Sequence, residues 1–453
     1  MNNESSRHEG ESLLIIGAGP GGYQAAAYAA KNGLKVTIIE EEHAGGTCLN
    51  CGCIPTKALC HDAENPTDFA AAMARKDAIV AQLRSGVEQL MQMPGITYVR
   101  GKASFVDAHT VRVGDDTFTA DNIIIATGSS SKMPPIPGID LPCVVTSTEL
   151  LAIDHVPNRL CIVGAGVIGL ELAGVFAAFG SQVTVIEYMK ECLPQMDSDI
   201  AKRLRKQLEK KGITFNLQCG VKSFTPIPSP VGEGNCSGEG CLVQFENKKG
   251  QTESVEADIV LVATGRKPRT EGLNLEATGI SLAPNGTIPV DDNFQIVNCK
   301  SSNCKCYAIG DVNGRQMLAH AAEAQAHRVV NRILGRKDAL RLDVMPAAVF
   351  TTPEVACVGP TEDQLKAENR DFIVHKATFR ANGRALCIDE TEGLVKLITD
   401  TEDHLLAAHI MGPHAADLVQ EVTAYITLGA TLQQLRETVH IHPTLSEVLI
   451  EVN

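Results

Sequence analysis

No apolar run in this chain approaches the ~20 residues that cross a bilayer as a helix, which argues against a membrane-embedded protein. There is no basic surplus either. Forty lysines and arginines stand against 54 aspartates and glutamates, for a formal net charge of −14. A nucleic-acid binder needs a basic face, so that partner is not expected. Residues 1–10 are polar and lack a basic stretch leading into an apolar core, so no secretory signal is expected there. Cysteine is thinly spread. Fifteen in 453 residues are too few for a disulfide scaffold, and the odd number leaves at least one thiol over. The expected setting is a reducing cytoplasm, where a disulfide would belong to chemistry rather than to scaffolding.

What is present points to nucleotide chemistry. The length exceeds one ordinary domain, and three or four are expected. An apolar strand at 13–17 runs into Gly17-Ala18-Gly19-Pro20-Gly21-Gly22, then an alanine-rich helix at 24–32, then a strand at 35–39 ending on Glu40. In a dinucleotide fold Gly17 permits the tight turn, Gly19 lets the backbone approach a pyrophosphate, and Gly22 lets the helix pack on the strand. The helix N-terminus favours phosphate charge, and Glu40 is positioned to accept from ribose hydroxyls.

The pattern recurs. Residues 160–163 lead into Gly164-Ala165-Gly166-Val167-Ile168-Gly169, a helix, and a strand at 182–186 ending on Glu187. Two such units imply two dinucleotides, one a resident flavin and the other a visiting nicotinamide. A carboxylate at Glu187 accepts from the 2′-hydroxyl of NAD and repels the 2′-phosphate of NADP. Tyr188, Met189, Lys190 and Glu191 follow, not the arginines an NADP site wants, and Lys190 is the one residue against NAD. Apolar strands at 123–129 and 259–266 close the two units, with Thr127-Gly128 and Thr264-Gly265 as exit turns. A third strand, at 307–312, ends in Asp311, within reach of a ribityl hydroxyl.

Between these units, residues 219–241 carry Pro226, Pro228, Pro230 and several glycines, which reads as a surface loop. Its Cys236 and Cys241 are read as thiols outside any site. Cys299, Cys304 and Cys306 have loosely metal-like spacing, but no nearby histidine completes a tetrahedral set, so no metal is expected. From about 345 the glycine-rich loops stop. Strands at 347–352, 372–379, 394–399 and 405–411 with two helices suggest an α+β unit. Near its end, His442 is a natural base at neutral pH and Glu447 a carboxylate able to orient it.

The most informative segment is Gly45-Gly46-Thr47-Cys48-Leu49-Asn50-Cys51-Gly52-Cys53-Ile54-Pro55-Thr56-Lys57. Two cysteines five apart, leading into a helix and followed by a lysine, sit in surroundings that depress a thiol pKa. Structural cysteines in a glycine-rich loop are the plainer alternative, which the rest of the chain disfavours. The segment resembles the redox-active segment of the FAD-dependent pyridine nucleotide–disulfide oxidoreductases, and its wording is closest to the members that oxidise dihydrolipoamide. His442-Pro443-Thr444-Leu445-Ser446-Glu447 resembles the acid–base segment of the same family. Phe350-Thr351-Thr352-Pro353-Glu354-Val355-Ala356 and Asn382-Gly383-Arg384-Ala385 look like its landmarks. The resemblance covers nearly the whole chain.

It implies two tandem Rossmann-like α/β domains, the NAD domain (147–270) inserted in the FAD domain (1–146, completed by 271–344), and a C-terminal α+β dimerisation domain (345–453). FAD would be held by Gly17, Gly19, Gly22, Glu40, Gly46, Thr47, Lys57, Thr127, Gly128 and Asp311, and NAD by Gly164, Gly166, Gly169, Glu171, Glu187 and Gly265. Cys48 and Cys53 would form the redox disulfide, Cys53 against the flavin and Cys48 towards substrate. His442 would be the acid–base, Glu447 its partner, and Lys57 would pair with Glu171. The implied reaction oxidises protein-bound dihydrolipoamide and reduces NAD; a glutathione-reductase-like or other NAD(P)H-dependent disulfide reductase is the alternative. A mercuric reductase would want a cysteine pair near the C-terminus, whereas the last cysteine is Cys387. A non-catalytic redox sensor on this fold could dispense with Lys57, His442 and Glu447, all of which are present. In the family the base reaches the other subunit's disulfide, so a homodimer is implied. The implied partners are lipoyl domains of 2-oxo acid dehydrogenase complexes or a glycine-cleavage lipoyl protein. Three positions depart from the family pattern: Cys51, expected to be inert, Asp417, and Arg269 at the nicotinamide-domain exit.

Overall fold

The computed structural model describes residues 11–65, 67–227, 240–297 and 305–453. Residues 1–10, the proline–glycine run 228–239 with Cys236, and Cys299 and Cys304 lie outside the described residues. The chain forms two compact units.

The first unit comprises the chain up to Ala58, Ala74–Lys132 and Arg266–Leu342. Its centre is a parallel sheet in the order Cys306–Ala308, Asn122–Ile125, Ser12–Ile16, Lys35–Glu40, Ile96–Arg100. Leu13 to Ile16 and Ile123 to Ile125 are buried without alternation, as expected for strands covered on both faces. Helix Pro20–Lys31 starts directly after the first glycine turn, with a proline where no backbone donor is needed. Its alanines 25, 26 and 29 pack in one core with Ala326, Val329 and Val330 of helix Ala319–Ile333. A small antiparallel sheet, Ala103–Phe105, Thr110–Val113 and Asp116–Thr119, brings Phe105 and Val111 into a second core with Leu14, Ile16 and Ile125.

The second unit comprises Leu59–Met73, Met133–Gly265 and Asp343–Asn453. It repeats the parallel design in the order Thr214–Leu217, Gln182–Glu187, Arg159–Val163, Ile259–Val262, Val144–Val145. Beside it lies an antiparallel sheet of Gly220–Ile227, Gly240–Glu246 and Thr252–Ala257. The loop expected at 219–241 is, in its described parts, one whole strand, Gly220–Ile227, and the start of a second, Gly240–Glu246. Phe224 and Val243 alternate into a core, and Pro226 is tolerated because its strand is at the sheet edge. Cys241 is fully buried in that core.

The C-terminal part of this unit is an antiparallel sheet in the order Ala347–Val349, Glu354–Val358, Leu405–Gly412, Leu394–Thr399, Ile373–Ala377. Helix Ala415–Thr427 covers it, packing Val419 and Val422 on Val395 and Ile410. The strand expected at 347–352 stops at Val349, and a separate strand, Glu354–Val358, begins after Pro353. The strands expected to run to residues 129, 266 and 312 stop at Ile125, Val262 and Ala308, each at the turn that follows. Among the described residues no helix is long and apolar enough to cross a membrane.

Candidate active site

The two glycine turns are near-copies in three dimensions. Gly17 (φ +102°) donates its N–H to Ile39 at 2.8 Å, and Gly164 (φ +109°) donates to Ile186 at 2.9 Å. A side chain at either glycine would meet the carbonyl oxygen of Ala126 or Ala263, each at 2.4 Å. Both following helices are capped by a glycine, Gly19 or Gly166, with no side-chain bond to the cap. Each leaves amide donors of its first turn uncapped by a side chain, the arrangement that binds a pyrophosphate. The acids close both turns alike. Glu40 accepts from Ala18 N at 2.6 Å and Glu42 N at 2.9 Å; Glu187 accepts from Ala165 N at 2.6 Å and Met189 N at 2.7 Å. These bonds fix each carboxylate, so each turn fits one dinucleotide.

The cysteine segment is fastened to the first turn. Gly45 N–H donates to Ala18 O at 2.8 Å, and a Cβ on Gly46 would lie 2.6 Å from the Cα of Gly19. Helix Gly46–Cys51 carries Thr47, Cys48 and Cys51, and helix Cys53–Glu64 begins with Cys53 and carries Lys57 one turn on. Gly52 breaks the two helices apart, and a Cβ there would lie 2.9 Å from Thr47 O. The Cys48 thiol is pushed well above its ordinary pKa by a hydrogen bond with Cys53, then by burial and the Cys53 charge, while Lys57 draws it down.

Asn50 was not singled out from sequence, yet it organises the segment. Its amide donates to Ala44 O at 3.1 Å and Gly46 O at 2.9 Å, and its carbonyl accepts from Arg84 Nε at 2.6 Å.

Asp311 lies on a short turn, Gly310–Asn313, three residues beyond its strand. Its carboxylate accepts from the Ser129 hydroxyl, and Arg266 Nε stands 3.8 Å away. Arg266 also donates to Ser129 Oγ at 2.7 Å and Ser129 O at 2.8 Å. Ser129 and Arg266 were missed, although each directly follows a Thr-Gly pair, a symmetry that would have drawn attention to them. Thr127 Oγ1 donates to Arg269 O at 2.6 Å, and Arg269 N to Gly128 O at 2.9 Å. Arg269 thus contributes its backbone here, which any residue but proline could match.

His442 and Glu447 belong to the second unit. His442 Nδ1 stands 2.8 Å from Glu447 Oε1, with the imidazole 80% exposed. The other Glu447 oxygen accepts from Thr444 N at 2.7 Å. Glu447 is held below the usual carboxylate range by that backbone bond and then by His442. Asn382, buried, donates to Thr444 O at 3.1 Å and steadies the loop. The neighbouring His440 is turned inward, its Nε2 2.7 Å from Glu421. Glu171 is buried on helix Val167–Ala178 and accepts from Phe350 N at 2.9 Å. Gly128 and Gly265 both adopt positive φ at their exit turns.

A family model described as pyridine nucleotide-disulphide oxidoreductase matches residues 11–326, and the dimerisation-domain model of that family matches 345–452. The chain belongs to the pyridine nucleotide-disulphide oxidoreductases. As a member it is a disulfide oxidoreductase working with FAD and NAD. This oxidoreductase is 40% identical to the mitochondrial dihydrolipoyl dehydrogenase of Pisum sativum, over 99% of this chain and 91% of that protein. It is 38% identical to dihydrolipoyl dehydrogenase 2 of Haloarcula marismortui, over 98% of this chain and 96% of that protein. Among solved structures it is similar to the HOCl-induced flavoprotein disulfide reductase RclA from Escherichia coli. The TM-score is 0.87 at 32% identity, covering 97% of this chain and 99% of that chain. The first matched region contains both parallel sheets of this oxidoreductase, and the second contains its C-terminal antiparallel sheet.

Proposed function

We propose that the protein oxidises protein-bound dihydrolipoamide to lipoamide and reduces NAD+ to NADH. The observation carrying this reading is the Cys48/Cys53 pair fastened to the first dinucleotide turn, in a chain 40% identical to a dihydrolipoyl dehydrogenase. In the oxidised enzyme Cys48 and Cys53 form a disulfide. A substrate thiolate attacks Cys48, the Cys48–Cys53 bond breaks, and Cys53 leaves as thiolate. The second substrate thiolate then closes the lipoyl disulfide and releases Cys48. His442 accepts the substrate's proton at Nε2, because Nδ1 is committed to Glu447. Lys57 favours the thiolate form of the pair. Bound FAD supplies the two-electron relay from the dithiol to NAD. Overall a dithiol and NAD+ give a disulfide, NADH and a proton.

Glu40 and Glu187 orient the two riboses, Asp311 the ribityl chain, and the amides behind Gly19 and Gly166 the pyrophosphates. Gly46, Thr47, Thr127 and Gly128 flank FAD, and Glu171 and Gly265 flank NAD. We read 1–146 with 271–344 as the FAD domain, 147–270 as the inserted NAD domain and 345–453 as the dimerisation domain. The working form is a homodimer in which His442 of one copy serves the cysteines of the other. Lipoyl domains are its protein partners and a reducing cytoplasm its setting.

NADH oxidation by the flavin-loaded protein with lipoamide as sole acceptor, run beside Cys48→Ser, tests this. Fast turnover abolished by the substitution is expected. A flavin-loaded wild-type protein that reduces glutathione disulfide with NADPH but not lipoamide would overturn it.

A further inference from the structure

Lys396 is 1% exposed, in the middle of strand Leu394–Thr399. Its three ammonium hydrogens face three carboxylates: Asp197 Oδ1 at 2.7 Å, Glu362 Oε2 at 2.7 Å and Asp199 Oδ2 at 3.1 Å. Asp197 is equally buried. The outer carboxylates have second partners, Lys376 at 3.0 Å from Asp199 and Lys366 at 2.5 Å from Glu362. Burying an ammonium is costly unless every donor is matched, and here each one is. Lys376, Lys396, His409 and Cys357 are direct cross-strand partners, so they line one face of the sheet, the face towards Asp197.

The cluster joins two separately recognised parts of the chain. Lys396 and Glu362 fall within the dimerisation-domain match, and Asp197 and Asp199 within the oxidoreductase match. It also terminates one loop. After Glu187 the chain passes through 188–196 to Asp197, and its backbone lies against the second glycine turn. Met189 N donates to Glu187 Oε1 at 2.7 Å, and Leu193 N to Ala165 O at 2.9 Å. Ala165 N in turn donates to Glu187 Oε2. Leu193, at φ +46°, and Met196 are buried in the same core. Asp197 then caps helix Ser198–Lys210 by accepting from Asp199 N at 3.1 Å, and its second oxygen accepts from Glu362 N at 3.2 Å. One end of the loop therefore holds Glu187 and the turn, and the other end is held by Lys396 and Glu362.

We infer that Lys396 is a positioning residue for the nicotinamide nucleotide, acting from the dimerisation domain through Asp197 on the loop that braces Glu187 and the Gly164–Ala165 turn. This rests on the reading of that turn as the NAD site. Releasing Asp197 loosens the loop and lowers NAD affinity. The flavin turn, in the other unit, is unaffected.

The test uses purified, flavin-loaded holoenzyme with Lys396→Met and Asp197→Asn. The second variant keeps one acceptor oxygen for Asp199 N and Lys396 but loses the charge and the bond from Glu362 N, and it is a smaller change than Lys396→Met should that variant not fold. In both, KM for NAD+ is expected to rise about tenfold, ~1.4 kcal/mol, with flavin content unchanged and KM for dihydrolipoamide within about twofold. Variants that melt earlier yet keep the wild-type KM for NAD+ would overturn the inference and leave Lys396 a structural brace. A rise in both KM values together would overturn it as well, as a general loosening. Failure of wild-type protein to bind NADH would instead remove the underlying reading of the second turn.

Discussion

At Gly22 an added Cβ would lie 1.9 Å from the carbonyl oxygen of Gly17, and at Gly169 2.1 Å from that of Gly164. Neither carbonyl can retreat, because each belongs to a turn bonded to the neighbouring strand. Alanine at the two positions should therefore separate the two nucleotides. Gly22→Ala is expected to yield protein without flavin, seen as loss of visible absorbance. Gly169→Ala is expected to keep its flavin and raise KM for NAD+ more than tenfold, on the order of 1.4 kcal/mol or more. A substitution at His442 acts on chemistry rather than on nucleotide binding, since its imidazole is mostly exposed. His442→Gln should keep both nucleotides and lower turnover with dihydrolipoamide by about 10²–10⁴-fold, the range for a lost general base. Undiminished turnover would remove His442 from the mechanism. Cys51→Val should leave the rate within about twofold, because the disulfide exchange needs only Cys48 and Cys53.

At the level of elements, the redox pair depends on a helix interrupted at Gly52 and tied down by Asn50. Asn50→Ala removes bonds to Ala44, Gly46 and Arg84. It should cost about 1–2 kcal/mol, read as a lower melting temperature of the holoenzyme, with turnover falling further than flavin content. The C-terminal sheet carries a pH dependence. Burial pushes the His409 imidazole below its ordinary pKa; the Pro360 carbonyl and the Asp197 and Glu362 carboxylates oppose that, and Lys396 adds to it. Its Nε2 lies 3.0 Å from Pro360 O, and Nδ1 has no hydrogen-bond partner among the described residues. A histidine depressed in the fold takes up its proton more readily when unfolded, so its stabilising effect is complete above the unfolded pKa of ~6.5 and is lost as pH falls below it. Asp199 sits lower still. Burial works against it, but bonds from Lys376 and Lys396 bring it to about 2, so its contribution persists through that range. Thermal unfolding between pH 7.5 and 5.5 should show a shallower decline for His409→Gln than for wild-type protein. Parallel curves would refute this assignment.

For the molecule as a whole, the segment before His442 exposes Val439 (95%) and Ile441 (77%). Large apolar side chains this open, within a domain matched as a dimerisation domain, are expected to be covered by a second copy. Light scattering should give the mass of two chains. Ile441→Glu should shift the protein towards one chain per particle and abolish lipoamide turnover, with flavin still bound. A fully active monomer would contradict a site shared between subunits.

Local chemistry was readable along the chain wherever a few consecutive residues carry it. The glycine turns, the Cys48/Cys53 spacing and the His442/Glu447 pair are short-range patterns, and the acids that close the turns stand at a fixed offset, 22 residues from Ala18 and Ala165, at the end of the next strand. Turn geometry, helix dipoles and side-chain reach act over a handful of residues, so sequence suffices for them. The parallel sheets announced themselves too, because strands buried on both faces must be apolar throughout. Residues 219–227 misled, since a proline at a sheet edge, Pro226, looks like a proline in a loop until the neighbouring strand is known. The pairing of Ser129 with Asp311, of Arg84 with Asn50 and above all of Lys396 with Asp197, Asp199 and Glu362 could not be found this way, even where, as at Ser129, the position itself was marked by the Thr-Gly pair before it. Their partners lie 34 to 199 residues off. A lysine in a strand looks like a solvated charge until folding closes carboxylates around it, for desolvation and Coulomb attraction depend on distance in space, which only the packed chain sets.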